Sequence, residues 1–250
     1  MSHLPQPPFR MIVCGPSMSG KTRFLVNTLK DIKKFDNVVI MAPRQSATQN
    51  DYVDLGKFYG EDKMLIQIGF PDPLMTEHIF AQLEIGKEAK QTTLFIIDDL
   101  MEEAKKSQFL SNLVTAACHH LGISIVLIQQ TLMLANIGRT ARLNSDYIVV
   151  FPMHMDKRAF NVMAQQMEPN EWPHLVKKFE EVTSKPYTPF IIDIKSRREN
   201  RPAEFFFRDG TWGVGIKFPW KKSASDNIKT KNRHRDVSPV SSDQEVEDDS

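Results

Sequence analysis

Eight consecutive residues, Gly15-Pro16-Ser17-Met18-Ser19-Gly20-Lys21-Thr22, fit the spacing G-x-x-x-x-G-K-[ST] of a loop that cradles phosphate groups. The chemistry follows from the residue types. Gly15 and Gly20 permit a tight turn whose backbone N–H groups point inward. A helix opening at the end of the loop adds the positive end of its dipole. The Lys21 ammonium reaches the β- and γ-phosphates of a nucleotide, and the Thr22 hydroxyl is a ligand for Mg²⁺. Arg23 is the next nucleotide-binding position in the chain. A glycine turn with an unrelated lysine is the structural alternative.

A second chemical stretch is Thr92-Thr93-Leu94-Phe95-Ile96-Ile97-Asp98-Asp99-Leu100. An apolar run that ends in paired carboxylates predicts a buried parallel strand with acids at its C-terminal end. Ligands of open α/β sheets bind off that edge. Asp98 is placed to hold Mg²⁺, directly or through water. Asp99 is placed to orient an attacking water or accept its proton. The alternative is a helix cap, with the helix starting near Glu102. A third run, Ile123-Ser124-Ile125-Val126-Leu127-Ile128-Gln129, also ends in polar groups, Gln129 and Gln130. Either glutamine could sense the γ-phosphate or position the water. Arg139 and Arg142 follow in a loop-like stretch, where an arginine can cap γ-phosphate charge in cis or from a neighbouring subunit.

The elements that must position these groups alternate along the chain. Phe9 to Cys14 predicts a strand, and Thr22 to Lys33 a helix with Phe24, Leu25, Leu29 and Ile32 at helical spacing. Strands are expected at Asn37 to Met41, Met64 to Ile68, Leu94 to Ile97, Ile123 to Gln129, Tyr147 to Phe151 and Pro189 to Ile194. Helices are expected over Pro71 to Lys90, Lys105 to Leu121, Asp156 to Gln166 and Glu171 to Thr183, with a mixed, partly helical segment from Ser46 to Phe58. Glu204 to Phe207 and Thr211 to Ile216 suggest a hairpin around Asp209-Gly210. This alternation predicts an α/β, mostly parallel sheet flanked by helices. From about Phe218 apolar residues nearly vanish. A basic stretch and then an acidic end follow, so we expect an ordered domain over 1–217 and a disordered charged tail over 218–250.

The totals are those of an ordinary soluble protein. The net charge of +1 gives no global basic field, so any nucleic-acid contact must come from local patches. Two cysteines, Cys14 and Cys118, make no disulfide framework and suit a reducing compartment. No apolar run approaches membrane-spanning length. His119-His120 lacks partners at metal-ligand spacing.

Taken in order, the Gly15-to-Thr22 loop, Ile96-Ile97-Asp98-Asp99, Ile125 to Gln129 and the run Arg139-Thr140-Ala141-Arg142-Leu143-Asn144-Ser145-Asp146-Tyr147-Ile148-Val149-Val150-Phe151 resemble a known family. The chain is similar, over roughly residues 8 to 195, to the genome-packaging ATPases of the FtsK/HerA superfamily. It looks closest to those of nucleocytoplasmic large DNA viruses and polinton- and adintovirus-like elements. The resemblance implies a P-loop NTPase fold of the ASCE, RecA-like type. It implies ATP and Mg²⁺ as cofactors and double-stranded DNA as the translocated partner. It further implies a homo-oligomeric ring, a capsid or portal-vertex partner, and a virus-associated location in host cytoplasm or nucleus. By residue, it implies Lys21 and Thr22 on the phosphates and Mg²⁺, Asp98 on Mg²⁺, Asp99 in the catalytic acid position, Gln129 as sensor and Arg139 as a trans-acting finger. Many superfamily members outside the virus group carry Glu where Asp99 stands. A helicase of the same superfamily and a nucleotide or small-molecule kinase are the alternatives. A GTPase is disfavoured by the lack of N-K-x-D, and an ABC-type ATPase by the lack of an L-S-G-G-Q-like segment.

Overall fold

A computed structural model of the chain describes residues 4–32, 34–100, 103, 107–132, 137–199, 206–212 and 215–216. The expected tail over 218–250 lies outside these residues. Strands β1 (Arg10–Cys14), β2 (Asn37–Ala42), β3 (Met64–Ile68), β4 (Thr93–Asp98), β5 (Ser124–Gln129), β6 (Tyr147–Val150), β7 (Phe190–Asp193) and β8 (Phe207–Arg208) form one sheet in the order β3-β2-β4-β5-β1-β6-β7-β8. The first six in that order run parallel, and β7 and β8 are antiparallel additions. β5 lies between β4 and β1, so the acidic strand and the phosphate-loop strand are not neighbours, as an ASCE-type sheet requires.

The central strands are buried along their whole length, which is why they appear in the sequence as unbroken apolar runs. Helices cover both faces. On one face, α1 (Lys21–Asp31) and α3 (Asn50–Tyr59) pack Leu25, Val26, Leu29, Tyr52 and Leu55 onto Met11, Val13, Leu94, Ile96, Val126 and Ile128. Burial of each such aliphatic side chain contributes about 1.5–3 kcal/mol. Between them lies the short α2 (Arg44–Ala47). α4 (Pro73–Glu88) starts where the Asp72 side chain accepts from the Met75 N–H, with Pro73 in the first turn.

The expected helix over Lys105 to Leu121 is broken in two. α5 (Gln108–Asn112) and α6 (Cys118–His120) flank a π-helical stretch, Leu113–Ala117. The loop expected around Arg139 is instead helix α7 (Ile137–Asn144), because one glycine among Arg, Ala and Leu does not break a helix. α8 (Lys157–Met167) and α9 (Trp172–Thr183) follow, their Phe160 and Phe179 rings stacked at 3.8 Å, and the short α10 (Ile194–Arg198) follows β7. Among the described residues, no helix is long and apolar enough to cross a membrane.

Part of the expected terminal hairpin lies outside the described residues. β8 pairs with β7, and the Ile216 N–H reaches the Phe207 carbonyl at 2.7 Å, but no second arm is a strand among the described residues. Trp212 turns inward instead. Its indole donates to Thr28 Oγ1 at 3.0 Å and its ring stacks on Phe24. Core burial of a large aromatic outweighs the pairing of a short exposed strand.

The β7–β8 corner carries a buried ion pair. Arg208 Nη2 lies 3.0 Å from Asp193 Oδ2, the two side chains being 1% and 4% exposed. Asp193 also accepts from Ser196 N and Oγ. Arg208→Ala leaves Asp193 buried without its counter-charge and is expected to destabilise the protein by about 3–5 kcal/mol in denaturant titrations. Removing the solvent-exposed Lys157–Glu180 pair should cost less than about 1 kcal/mol in the same assay.

Candidate active site

The phosphate loop continues β1 and is tied to its neighbour, since the Gly15 N–H donates to the Gln129 carbonyl at 3.1 Å. Gly15 cannot be larger, because a Cβ there would stand 2.6 Å from Phe151 Cβ. Gly20, at φ 94°, makes the left-handed turn that starts α1. Among the described residues no side chain caps α1, and its first turn holds no acid. Its free N–H groups and dipole therefore face the loop, which is the arrangement that binds an anion. Lys21 Nζ donates to the Gly15 and Pro16 carbonyls, both at 2.8 Å, and so spans the loop.

Asp98 ends β4. Side chains alternate along a strand, so Asp98 follows Leu94 and Ile96 onto the face of α1 and α3. There it is 5% exposed, and the Tyr52 hydroxyl of α3 donates to its Oδ2 at 2.7 Å. It is a strand residue bonded to a distant tyrosine, not a helix cap. Burial pushes the Asp98 carboxyl above its ordinary pKa. The Tyr52 hydrogen bond opposes this, the neighbouring Asp99 adds to it, and Lys21 opposes it. Burial likewise lowers the Lys21 pKa, and Asp98 and Asp99 resist that. Burial and the Asp98 charge hold the Tyr52 phenol protonated, well above the phenol range.

Asp99 lies just past the strand, in the left-handed region at φ 54°, with its N–H on the Ile128 carbonyl at 3.0 Å. Gln130 Nε2 donates to Asp99 Oδ2 at 2.7 Å. Gln129 points the other way. It is 2% exposed, its amide lies against the Cys14 thiol, and its Oε1 is buried with no hydrogen-bond partner among the described residues.

A cavity of about 540 Å³ runs along Ser17 to Arg23 and is closed by Asp98, Asp99, Gln130, Ser46, Gln49 and Asp51. Thr22 and Asp98 thus offer hard oxygen donors to one space, a donor set that suits Mg²⁺. Asp51, Asp98 and Asp99 against Lys21 and Arg23 also leave the cavity short of positive charge. Arg23 Nε pairs with Asp51 Oδ1 at 3.1 Å. A second cavity of about 740 Å³ adjoins the first at Ser17, Asp99 and Gln130, and Gln129 opens on it together with Met153, His154 and Asp156.

Among the expected site residues, Gly15 to Arg23, Asp98, Asp99 and Gln129 therefore meet at one sheet edge. The backbone of Arg139 lies in α7, and its side chain is outside the described residues. Arg142 Nη1 donates to the Leu132 carbonyl at 3.3 Å, a contact within its own chain. Tyr52 was missed, since it lies 46 residues from Asp98 in the chain. Nothing local to either residue signals the pairing.

A model of the poxvirus A32 protein family matches residues 1–169. The chain belongs to that family. This bears out the resemblance to viral genome-packaging ATPases, and the sheet order bears out the P-loop NTPase fold. A search of curated proteins gives no significant match. Among solved structures, the chain is similar to the genome packaging NTPase B204 from Sulfolobus turreted icosahedral virus 2. In its complex with AMP the identity is 15%, with 86% of this chain and 100% of B204 covered at a TM-score of 0.56. In its complex with ATPγS the identity is 16%, with 77% and 95% covered at a TM-score of 0.51. At that identity the likeness is one of fold.

The buried Asp98 gives a measurable signature. Its native pKa is raised, so the protonated form favours folding and the ionised form opposes it. The destabilisation is absent below the unfolded carboxyl pKa and grows as pH rises through the native one. Ligand-free Asp98→Asn protein should therefore melt several degrees above the parent at pH 8, and the gap should close as pH falls towards the carboxylate range. Tyr52→Phe should lower turnover about tenfold and move its acid limb to higher pH, because Asp98 loses a hydrogen bond to its charged form. An unmoved limb would separate Tyr52 from the chemistry.

Proposed function

We propose that this protein hydrolyses ATP with Mg²⁺ and uses the energy to drive double-stranded DNA into a viral capsid as part of a homo-oligomeric ring. The observation that carries the catalytic half is the convergence of Lys21, Thr22, Asp98 and Asp99 on one cavity at the uncapped N-terminus of α1. The DNA half rests on the family and on the genome-packaging role of the structural relative B204.

In this reading the loop N–H groups and Lys21 hold the β- and γ-phosphates and offset the charge that develops on them. Thr22 and Asp98 would hold Mg²⁺, which would supply Lewis-acid stabilisation of charge on the phosphate oxygens. Tyr52 fixes Asp98 in one orientation. Asp99, held by Gln130, accepts the proton of a water whose oxygen attacks the γ-phosphorus as the bond to the β-bridging oxygen breaks. Gln130, which holds Asp99 and lines both cavities, is the glutamine placed to position that water. Arg139 completes the site of a neighbouring subunit.

DNA contact falls to loops and to the basic stretch of the charged tail over 218–250. Several basic residues that could have served are already engaged within the chain. Arg198 bonds Asp146, Leu143 and Ser145, Arg197 pairs with Glu168, and Lys157 pairs with Glu180. The protein then acts where capsids are filled, in host cytoplasm or nucleus. A helicase of the same superfamily shares this engine. A small-molecule kinase is disfavoured because Arg142, a lid candidate, is turned onto Leu132.

Steady-state hydrolysis tests the reading. Double-stranded DNA should stimulate turnover, light scattering should report a ring-sized mass, and Lys21→Ala should lower turnover at least about a hundredfold. Unchanged hydrolysis by Lys21→Ala would remove the phosphate-loop assignment. Mixing Arg139→Ala with Lys21→Ala protein should restore part of the activity of the parent, and no restoration at any ratio would place Arg139 within its own subunit.

A further inference from the structure

The loop at Gly20 is flanked by an aromatic side chain that the chemistry above does not use. Tyr187 lies in the turn between α9 and β7, and it is 72% exposed. Its ring nevertheless lies against the phosphate loop, since a Cβ on Gly20 would stand 3.2 Å from Tyr187 Cδ1. Phe151, fully buried, lies below both, 3.7 Å from the same point.

The backbone that presents this ring is strained. The Thr188 N–H bonds the Lys185 carbonyl at 3.3 Å, which makes a turn with Pro186 second and Tyr187 third. Tyr187 has φ 56°. A proline followed by a residue at positive φ is the type II pattern, in which the third position favours glycine. A bulky, exposed side chain at that position opposes folding, and such strain is retained where a site needs it.

The position fits one role. In the sheet order β4-β5-β1-β6-β7, the acids stand two strands from the loop on one side and Tyr187 stands before the strand two away on the other. A nucleotide held by the loop has its γ end at Asp98 and Asp99, so its nucleoside end leaves towards β6 and β7. We infer that the Tyr187 ring is the platform on which the base of the bound nucleoside triphosphate stacks. This rests on the ATP reading above. A stacked ring meets the face of a base and contributes little when the base is absent.

Binding measurements separate the two ideas. The parent protein, Tyr187→Phe, Tyr187→Ala and Tyr187→Gly are titrated by calorimetry with ATP and with inorganic tripolyphosphate, each with Mg²⁺, and their melting temperatures are recorded. The parent should bind both, ATP more tightly. The Ala and Gly variants should lose about tenfold or more in ATP affinity and keep that for tripolyphosphate, while Phe keeps both. Tyr187→Gly should also melt no lower than the parent, because glycine relieves the turn. An Ala or Gly variant that keeps ATP affinity, or that loses ATP and tripolyphosphate equally, would overturn the stacking role. A parent that binds neither ligand would remove the ATP reading itself, and the platform with it.

Discussion

The site depends on the parallel register of three strands. β4, β5 and β1 are aligned so that Asp98 stands beside Ile128 and Cys14 beside Gln129. Two further backbone bonds, from Asp99 to Ile128 and from Gly15 to Gln129, extend the ladders one residue past each strand. The phosphate loop and the acidic pair are therefore fixed to two successive carbonyl groups of β5, Gln129 and Ile128 respectively. A slip of one residue in the β4–β5 pairing would turn Asp98 away from α1 and bury an aliphatic side chain in its place. The apolar strand interiors prevent that slip, so the core also sets the distance between the loop and the acidic pair.

Stability and activity pull the same residues in opposite directions. Asp98 is an acid in the core, satisfied by one tyrosine and only partly balanced by Lys21. An apolar residue would suit that position better in an empty protein. The cost is tolerable because the surrounding core is large and because a bound cation and triphosphate would supply the missing charge on both sides. The Arg208–Asp193 pair shows the contrasting case, a buried acid matched by its own arginine and two donors from Ser196.

Much of this was legible in the sequence. The loop spacing and the two apolar runs ending in polar residues named the groups, and strand alternation placed them. Carried one step further, the same alternation separates the two glutamines. Gln129 shares the parity of Ile125 and Leu127, away from α1, while Gln130 shares that of Val126 and Ile128 and meets Asp99. Tyr52 was not legible, because its role arises when α3 packs across β4, and no pattern near Asp98 reports that crossing. The helix over Ile137–Asn144 was not legible, because the stretch is short and mostly polar and carries a glycine. Trp212 was not legible as a core residue, because nothing near it in the chain reports its contact with Thr28 and Phe24.

The strained backbone is informative because of where it lies. Non-glycine residues at positive φ are Met18, Lys90, Asp99, Tyr187 and Trp212 among the described residues. Met18 is at the exposed tip of the phosphate loop, Asp99 just past the C-terminal end of β4, and Tyr187 against Gly20. None of these three sits in the core, so none is repaid by packing there. Met18 and Asp99 line one cavity and Tyr187 lies against the loop that borders it, and folding alone gives no reason for strain to gather at a single sheet edge. Preorganisation for a ligand that spans the loop from its acids to its aromatic ring gives one.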